Sequence, residues 1–256
     1  MIRNAILRRP AANLADGLTT VSLGKPDLIK TNHQYDNYCN ALAQCGVALT
    51  ILEGDPAHPD STFVEDTAVL AGKTAILTRP GANSRQGEVN GIRETLERFF
   101  SSIAEIKAPG TVDGGDICEA GRHFFIGLSQ RTNEQGAKQL ARILAGEGYT
   151  SSVVDIQRME NILHLKSGIA YLGDNRLVVM EEMASREEFA GYHLTRVNAT
   201  ESYAANCVRV NDHVLIPAGY SELKCDLERL GYSVVPLQIS EFQKMDGGLS
   251  CLSLRF

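Results

Sequence analysis

Four stretches of the sequence repeat one plan: a polar residue, a short strand, a tight turn and a second strand. They are EDTAVLAGKTAILTRPG from Glu65, GGDICEAGRHFFIGLSQ from Gly114, HLKSGIAYLGDNRLVVM from His164 and NCVRVNDHVLIPAGY from Asn206. Their turns fall at Gly72, Gly121, Asp174-Asn175 and Asn211-Asp212, residues that reach positive φ cheaply and so close short hairpins. Self-similarity on this scale marks an array, in which no repeat buries its apolar face without neighbours.

Helix-like stretches follow the hairpins. NSRQGEVNGIRETLERFF and RTNEQGAKQLARILAGEG carry apolar residues at three- and four-residue spacing, and EEMASREEFAG and YSELKCDLERLG read as shorter versions. A fifth repeat is split between the two ends: GGLSCLSLRF supplies one strand, NAILRRP another, and KPDLIKTNHQYDNYCNALAQCG the helix. Five β-rich repeats joined head to tail predict an α/β fold, a closed five-unit propeller with pseudo-fivefold symmetry. Residues 1–256 are expected to form a single catalytic domain of this kind.

In such a ring, equivalent positions of successive repeats point toward one axis. The polar residues that open the repeats are Asp66, Asp113, His164, Asn206 and Cys251, at steps of 47, 51, 42 and 45 residues. The repeat therefore predicts that two carboxylates, an imidazole and a thiol converge. A thiol beside an imidazole is activated as thiolate, and the imidazole can then donate a proton to a leaving group. A carboxylate on the far side of the ring fixes its tautomer and raises its basicity. Glu65 and Asp66 together suit a planar cation held by charge-assisted hydrogen bonds.

Each residue alone also has a plainer reading. Cys251 could be a small core residue, His164 an ordinary residue of the alternating strand LHLK, Asp113 a turn residue, and FVED a strand end with solvated acids. The matched spacing is what favours chemistry. His33, His58, His123 and His213 fall in a polar helix, a Pro-rich loop and two hairpin turns, and read as surface residues; Cys207 reads as packing.

Composition narrows the class of function. A net charge of −6 with no Lys/Arg run argues against a nucleic-acid partner, and no apolar run approaches the ~18 residues of a membrane helix. The N-terminus scatters charge through its apolar residues, so it lacks a signal-peptide core. Six cysteines without a C-x-x-C pair suit a reduced, cytoplasmic protein.

Seven short stretches in order, DGLT (16–19), PDSTFVED (59–66), TRPGANSR (78–85), GLSQRTN (127–133), LHLKS (163–167), YAANC (203–207) and DGGLSC (246–251), resemble the dimethylarginine dimethylaminohydrolase (dimethylargininase) family of guanidino-group-modifying enzymes. That family has a five-unit α/β propeller, in agreement with the repeat count. The resemblance implies Cys251 as nucleophile, His164 as general acid and base, and Asp113 as the group that orients His164. It implies that Glu65 and Asp66 bind the guanidinium, that Asp60, Arg85 and Arg131 hold the amino-acid end, that Asp246 and the backbone of Met245 border the pocket, and that Leu18 lies on a flexible lid. Asp113 matches the animal enzymes, where some bacterial relatives carry Glu, whereas Gly168 resembles the bacterial members.

The expected reaction is hydrolysis of Nω-methylated arginine to citrulline and an alkylamine through a covalent thiouronium intermediate, with no metal or organic cofactor. The expected partner is this small molecule; amphipathic outer helices leave room for a homodimer. Hydrolysis of unmethylated arginine, as in the longer arginine deiminases, is the alternative. Two further readings are a non-catalytic ring of the kind found in a ribosome-binding initiation factor, and zinc held by Cys, His and Asp.

Overall fold

The turn residues come first, because their backbone geometry decides the rest. In the computed structural model, which describes residues 1–256, Gly72, Gly121, Asp174, Asn175 and Asn211 all have positive φ. Each expected turn is therefore a tight hairpin, closing on the pairs Ala71↔Thr74, Ala120↔His123, Gly173↔Arg176 and Val210↔His213.

From each hairpin the chain returns to lay a third strand parallel to the second. The pairings are Thr74–Leu77 with Ser102–Glu105, His123–Leu128 with Thr150–Asp155, Arg176–Met180 with His193–Val197, and His213–Pro217 with Ser233–Leu237. The fifth sheet is assembled from both ends: Asn4–Arg8 pairs antiparallel with Leu254–Arg255 and parallel with Ala48–Leu52. The result is five three-stranded sheets; in four the second strand of the hairpin lies in the middle, and in the fifth Asn4–Arg8 takes that place. Those middle strands, such as TAIL and RLVVM, are buried almost throughout, which is why they read as continuous apolar runs rather than alternation.

Helices fill the crossovers where the spacing supports them. Leu28–Gln44 starts at Asp27, whose carboxylate accepts from the Lys30 N–H, and buries Tyr35, Tyr38, Cys39 and Leu42. Glu134–Gly146 starts at Asn133 and buries Ala137, Leu140 and Leu144. Asn90–Glu97 follows a 3₁₀ stretch, Asn83–Val89, and Ser221–Arg229 serves the fourth repeat. The expected helix in EEMASREEFAG is absent: two single 3₁₀ turns, Glu181–Met183 and Glu187–Phe189, take its place. Only Met183 and Phe189 face the interior from those turns, too few for an apolar stripe.

Contacts divide the chain into two compact bodies, Met1–Val64 with Gly168–Phe256, and Glu65–Ser167. The first body holds three of the sheets, and two of them, the split sheet and the one from the fourth repeat, share a core that includes Tyr35, Tyr38, Phe242 and Leu252. The second holds two sheets around Val69, Ile76, Phe124, Ile126, Leu140 and Leu144. No helix is long and apolar enough to cross a membrane.

Candidate active site

Short 3₁₀ turns, not strands, present the polar residues that open the repeats. Glu65 and Asp66 lie inside Val64–Thr67, Asp113 caps Gly114–Asp116, and His164 immediately precedes Leu165–Ser167. Asn206 caps Ala199–Ala205, and Cys251 lies inside Ser250–Leu252. The strand expected around LHLK begins only at Ile169, because the chain must first turn to bring His164 inward. Cys251 likewise precedes its strand rather than lying in it.

In the second body three of these residues meet. One ligand-capable atom from each of Asp66, Asp113 and His164 lies within 4.8 Å of the others, and all three residues are buried. His164 Nε2 is 3.0 Å from Asp113 Oδ2, while Asp113 Oδ1 accepts from the Gly81 N–H at 2.8 Å. Gly115 lies against the imidazole: a Cβ there would sit 2.8 Å from His164 Nδ1 and 2.9 Å from Asp66 Oδ1. This close approach explains the glycine in the DGGD stretch, and it lets the Gly115 N–H donate to Asp66 Oδ1 at 2.8 Å.

Charge decides the protonation states. Burial on its own would push the His164 pKa down, but the carboxylates of Asp66, Asp116 and Asp113 outweigh it and lift the value to about 9. Burial acts against the Asp66 carboxylate too, and there His164 and Arg85 prevail, holding it at about 2. The second body therefore keeps an imidazolium among carboxylates at neutral pH.

Both carboxylates expected to take a guanidinium already have a cation. Arg85 Nη1 donates to Asp66 at 2.6 Å, and Lys166 Nζ reaches Glu65 Oε1 at 2.6 Å. Arg85 is itself buried, and its Nε and Nη2 donate to Glu88 at 2.9 and 2.8 Å. An incoming cation must share or displace these partners. By contrast, half-buried Arg131 makes no hydrogen bond or ion pair through its guanidinium, so its charge is not committed to a partner within the chain.

Three contributors were not singled out in the sequence. Lys166 stands two places after His164, and Glu88 three places after Arg85, the spacing of facing residues on a helical turn. Asp116, fully buried, accepts from Ser129 Oγ and Thr132 Oγ1 at 2.6 Å each and from the Leu165 N–H at 3.0 Å. Burial raises its pKa to about 6. It ties down the backbone beside His164, and the final Asp of DGGD was its only sequence signal.

The first body holds the other assigned residues. Asp60 accepts from the Leu18 N–H through both oxygens, at 3.0 and 3.1 Å, and Leu18 itself is exposed. Asp246, at a positive φ of 58°, receives the N–H and hydroxyl of Thr20. The segment after Leu18 is thus latched at Asp60 and at Asp246. Met245 is buried in the core, and its N–H donates to Phe242 O at 2.9 Å. The Tyr203 hydroxyl donates to Gly247 O at 2.7 Å, and Asn206 bonds to Ser250 next to Cys251.

The remaining histidines are less uniform than expected. His33 is exposed, but His58 is half-buried against Asp55, His123 lies between Thr150 and Ser152, and His213 is half-buried. Cys207 is buried, as its reading required. The Asp66, Asp113 and His164 cluster has the donor types of a metal centre, yet Arg85, Gly115 and Gly81 occupy its carboxylates. A metal ion would have to compete with those donors for the same oxygens.

Residues 56–215 match the arginine deiminase family model. The N(G),N(G)-dimethylarginine dimethylaminohydrolase of Pseudomonas aeruginosa is 48% identical over the full length of both chains. The chain belongs to the dimethylarginine dimethylaminohydrolase family. A second member, from Streptomyces coelicolor, is 34% identical across 99% of this chain and 96% of its own. A solved structure of the Pseudomonas family member, a cysteine-to-serine mutant complexed with citrulline, superposes with a TM-score of 0.97 at 47% identity, covering all of both chains. The five-unit α/β propeller class expected from the repeat is the family's fold, and the expected enzyme class, a hydrolase, is the family's class.

Proposed function

We propose that the chain hydrolyses Nω-methylated and Nω,Nω-dimethylated L-arginine to L-citrulline and methylamine or dimethylamine. The full-length likeness to curated enzymes named for that activity carries the reading. The buried imidazolium, with Asp113 on its Nε2, supplies the acid that the chemistry needs.

The Cys251 thiolate attacks the central guanidinium carbon, forming a C–S bond. Cleavage of the bond to the alkylated nitrogen follows, and His164 gives its proton to that nitrogen, because an amide anion is too poor a leaving group. A thiouronium adduct remains on Cys251. Neutral His164 then takes a proton from water, the resulting hydroxide adds to the same carbon, and the C–S bond breaks to return the thiolate and release citrulline, the hydroxyl proton passing to solvent, where the released amine takes one up. Asp113 orients the imidazole throughout. Glu65 and Asp66 hold the cation while its charge redistributes, and Arg131 takes the α-carboxylate with Arg85 beside it. Asp60, Leu18, Met245 and Asp246 close the amino-acid end. All of residues 1–256 act as one catalytic domain, working in the cytoplasm, a setting supported by six cysteines without a disulfide.

The test is citrulline release from asymmetric dimethylarginine, monomethylarginine and arginine, with Cys251→Ser alongside. Turnover of the methylated substrates, lost in the variant, is the expected result. Turnover of arginine alone would move the assignment to the deiminase reaction, which the arginine deiminase family model keeps in view. Activity surviving in Cys251→Ser would remove that thiol as nucleophile.

A further inference from the structure

Of the five residues that open the repeats, Asn206 alone has no part in the reaction above. It is buried, and its amide faces Ser250 with both ends. Oδ1 accepts from the Ser250 N–H at 3.0 Å, and Nδ2 donates to Ser250 Oγ at 3.0 Å. The backbone N–H can only donate, so the orientation of the amide is determined. Two opposed hydrogen bonds hold both the backbone and the side chain of the residue that precedes Cys251.

The rest of the turn is pressed onto the same side chain. A Cβ on Gly248 would lie 2.5 Å from Asn206 Oδ1, so no other residue fits there without displacing the amide. Gly247 O takes the Tyr203 hydroxyl at 2.7 Å, and Ser250 O takes Arg255 Nη1 at 3.0 Å. Residues 247–250 are thereby fixed by three side chains, two of them from the single stretch YAANC.

We propose that Asn206 is a positioning residue for the nucleophile: it braces the 247–251 turn through Ser250, and its neutrality keeps a second negative charge away from Cys251. The inference rests on the assignment of Cys251 above. Asp would fit the same space and could accept both bonds, yet it would set a buried carboxylate one residue from a group that must become an anion. In this body the other titratable or charged groups on the turn are Tyr203, Asp246 and Arg255. The Tyr203 hydroxyl is kept neutral well above its ordinary range by burial and by Cys251.

Three variants of the full chain, Asn206→Ala, Asn206→Asp and Ser250→Ala, test this. Each is assayed for kcat and KM on asymmetric dimethylarginine, and for the pH dependence of iodoacetamide alkylation at Cys251, read by peptide mass spectrometry. Asn206→Ala should lower kcat by about tenfold or more with KM changed by less than about threefold. Asn206→Asp should in addition move the alkylation midpoint of Cys251 to higher pH. Ser250→Ala, which removes only the hydroxyl contact, should show a smaller kcat loss and decides the matter if Asn206→Ala fails to fold. Unchanged kcat in the folded variants, or an Asp variant whose alkylation profile matches the wild type, overturns the proposal. Alkylation is read without substrate, so a wrong substrate assignment leaves this arm interpretable.

Discussion

Around His164 the second body gathers charge: Asp66, Asp113 and Asp116 as carboxylates, with Arg85 and Glu88 behind them. Around the Cys251 turn the first body gathers mainly neutral groups, the amide of Asn206, the hydroxyl of Ser250 and the phenol of Tyr203. The difference matches what the proposed reaction asks of each residue. An imidazole that has to carry a proton at neutral pH needs negative neighbours, because burial works against its charged form. In the proposed reaction the thiol has to lose a proton, which those same neighbours would oppose; its turn is bonded by neutral side chains and by one cation, Arg255.

The largest effect should come from breaking the charged side at Arg85. Arg85→Met leaves Asp66 and Glu88 as buried carboxylates without their shared cation, and about 3–5 kcal/mol of stability should be lost in urea titration. A loss below about 1 kcal/mol would mean that Asp66 and Glu88 do not depend on Arg85 as their shared cation.

Next in size is Asp116→Asn. Asp116 favours the imidazolium, so its neutralisation should move the basic limb of the pH–rate profile to lower pH. An unmoved limb would restrict the electrostatic role to Asp66 and Asp113. The linkage to stability has a definite sign. His164 titrates near 9 when folded against 6.5 in the free side chain, so its contribution is complete below 6.5 and lost as pH rises through 9. Asp116 is raised as well, to about 6 from 3.8, so its contribution is present below 3.8 and gone above 6. Urea midpoints at pH 7 and pH 9.5 should therefore differ, with the lower value at pH 9.5.

On the neutral side, Tyr203→Phe should cost least, about 1 kcal/mol in urea titration, with the pH–rate profile in place. A shifted profile would show that the two regions are not as separate in kind as the comparison holds.

The turns and the split fifth sheet were legible because Gly, Asn and Asp mark positive φ locally, and because apolar runs record burial. The 3₁₀ turns were not. His164 in LHLK alternates like a strand, and only tertiary packing against Gly115 and Asp116 bends it out of one. Residue types at the repeat positions pointed to His164 and Asp113, whose contact the structure contains. The second ring of contacts was silent: Lys166 on Glu65 and Glu88 on Arg85 depend on side-chain direction across loops, which no periodicity encodes. The helix expected in EEMASREEFAG failed for a related reason, since two inward residues in separate turns satisfy the third strand without a continuous stripe.

The pairing of Asn4–Arg8 with Leu254–Arg255 has a kinetic consequence. It is the contact of greatest sequence separation among the five sheets, and closing so long a span carries the largest chain-entropy penalty before any bond rewards it. On the ribosome, Asn4–Arg8 has to wait until Leu254 and Arg255 have left the exit tunnel. The strand that follows Cys251 is therefore locked into its sheet by a long-range contact, whereas each of the other four sheets can close on a hairpin of its own.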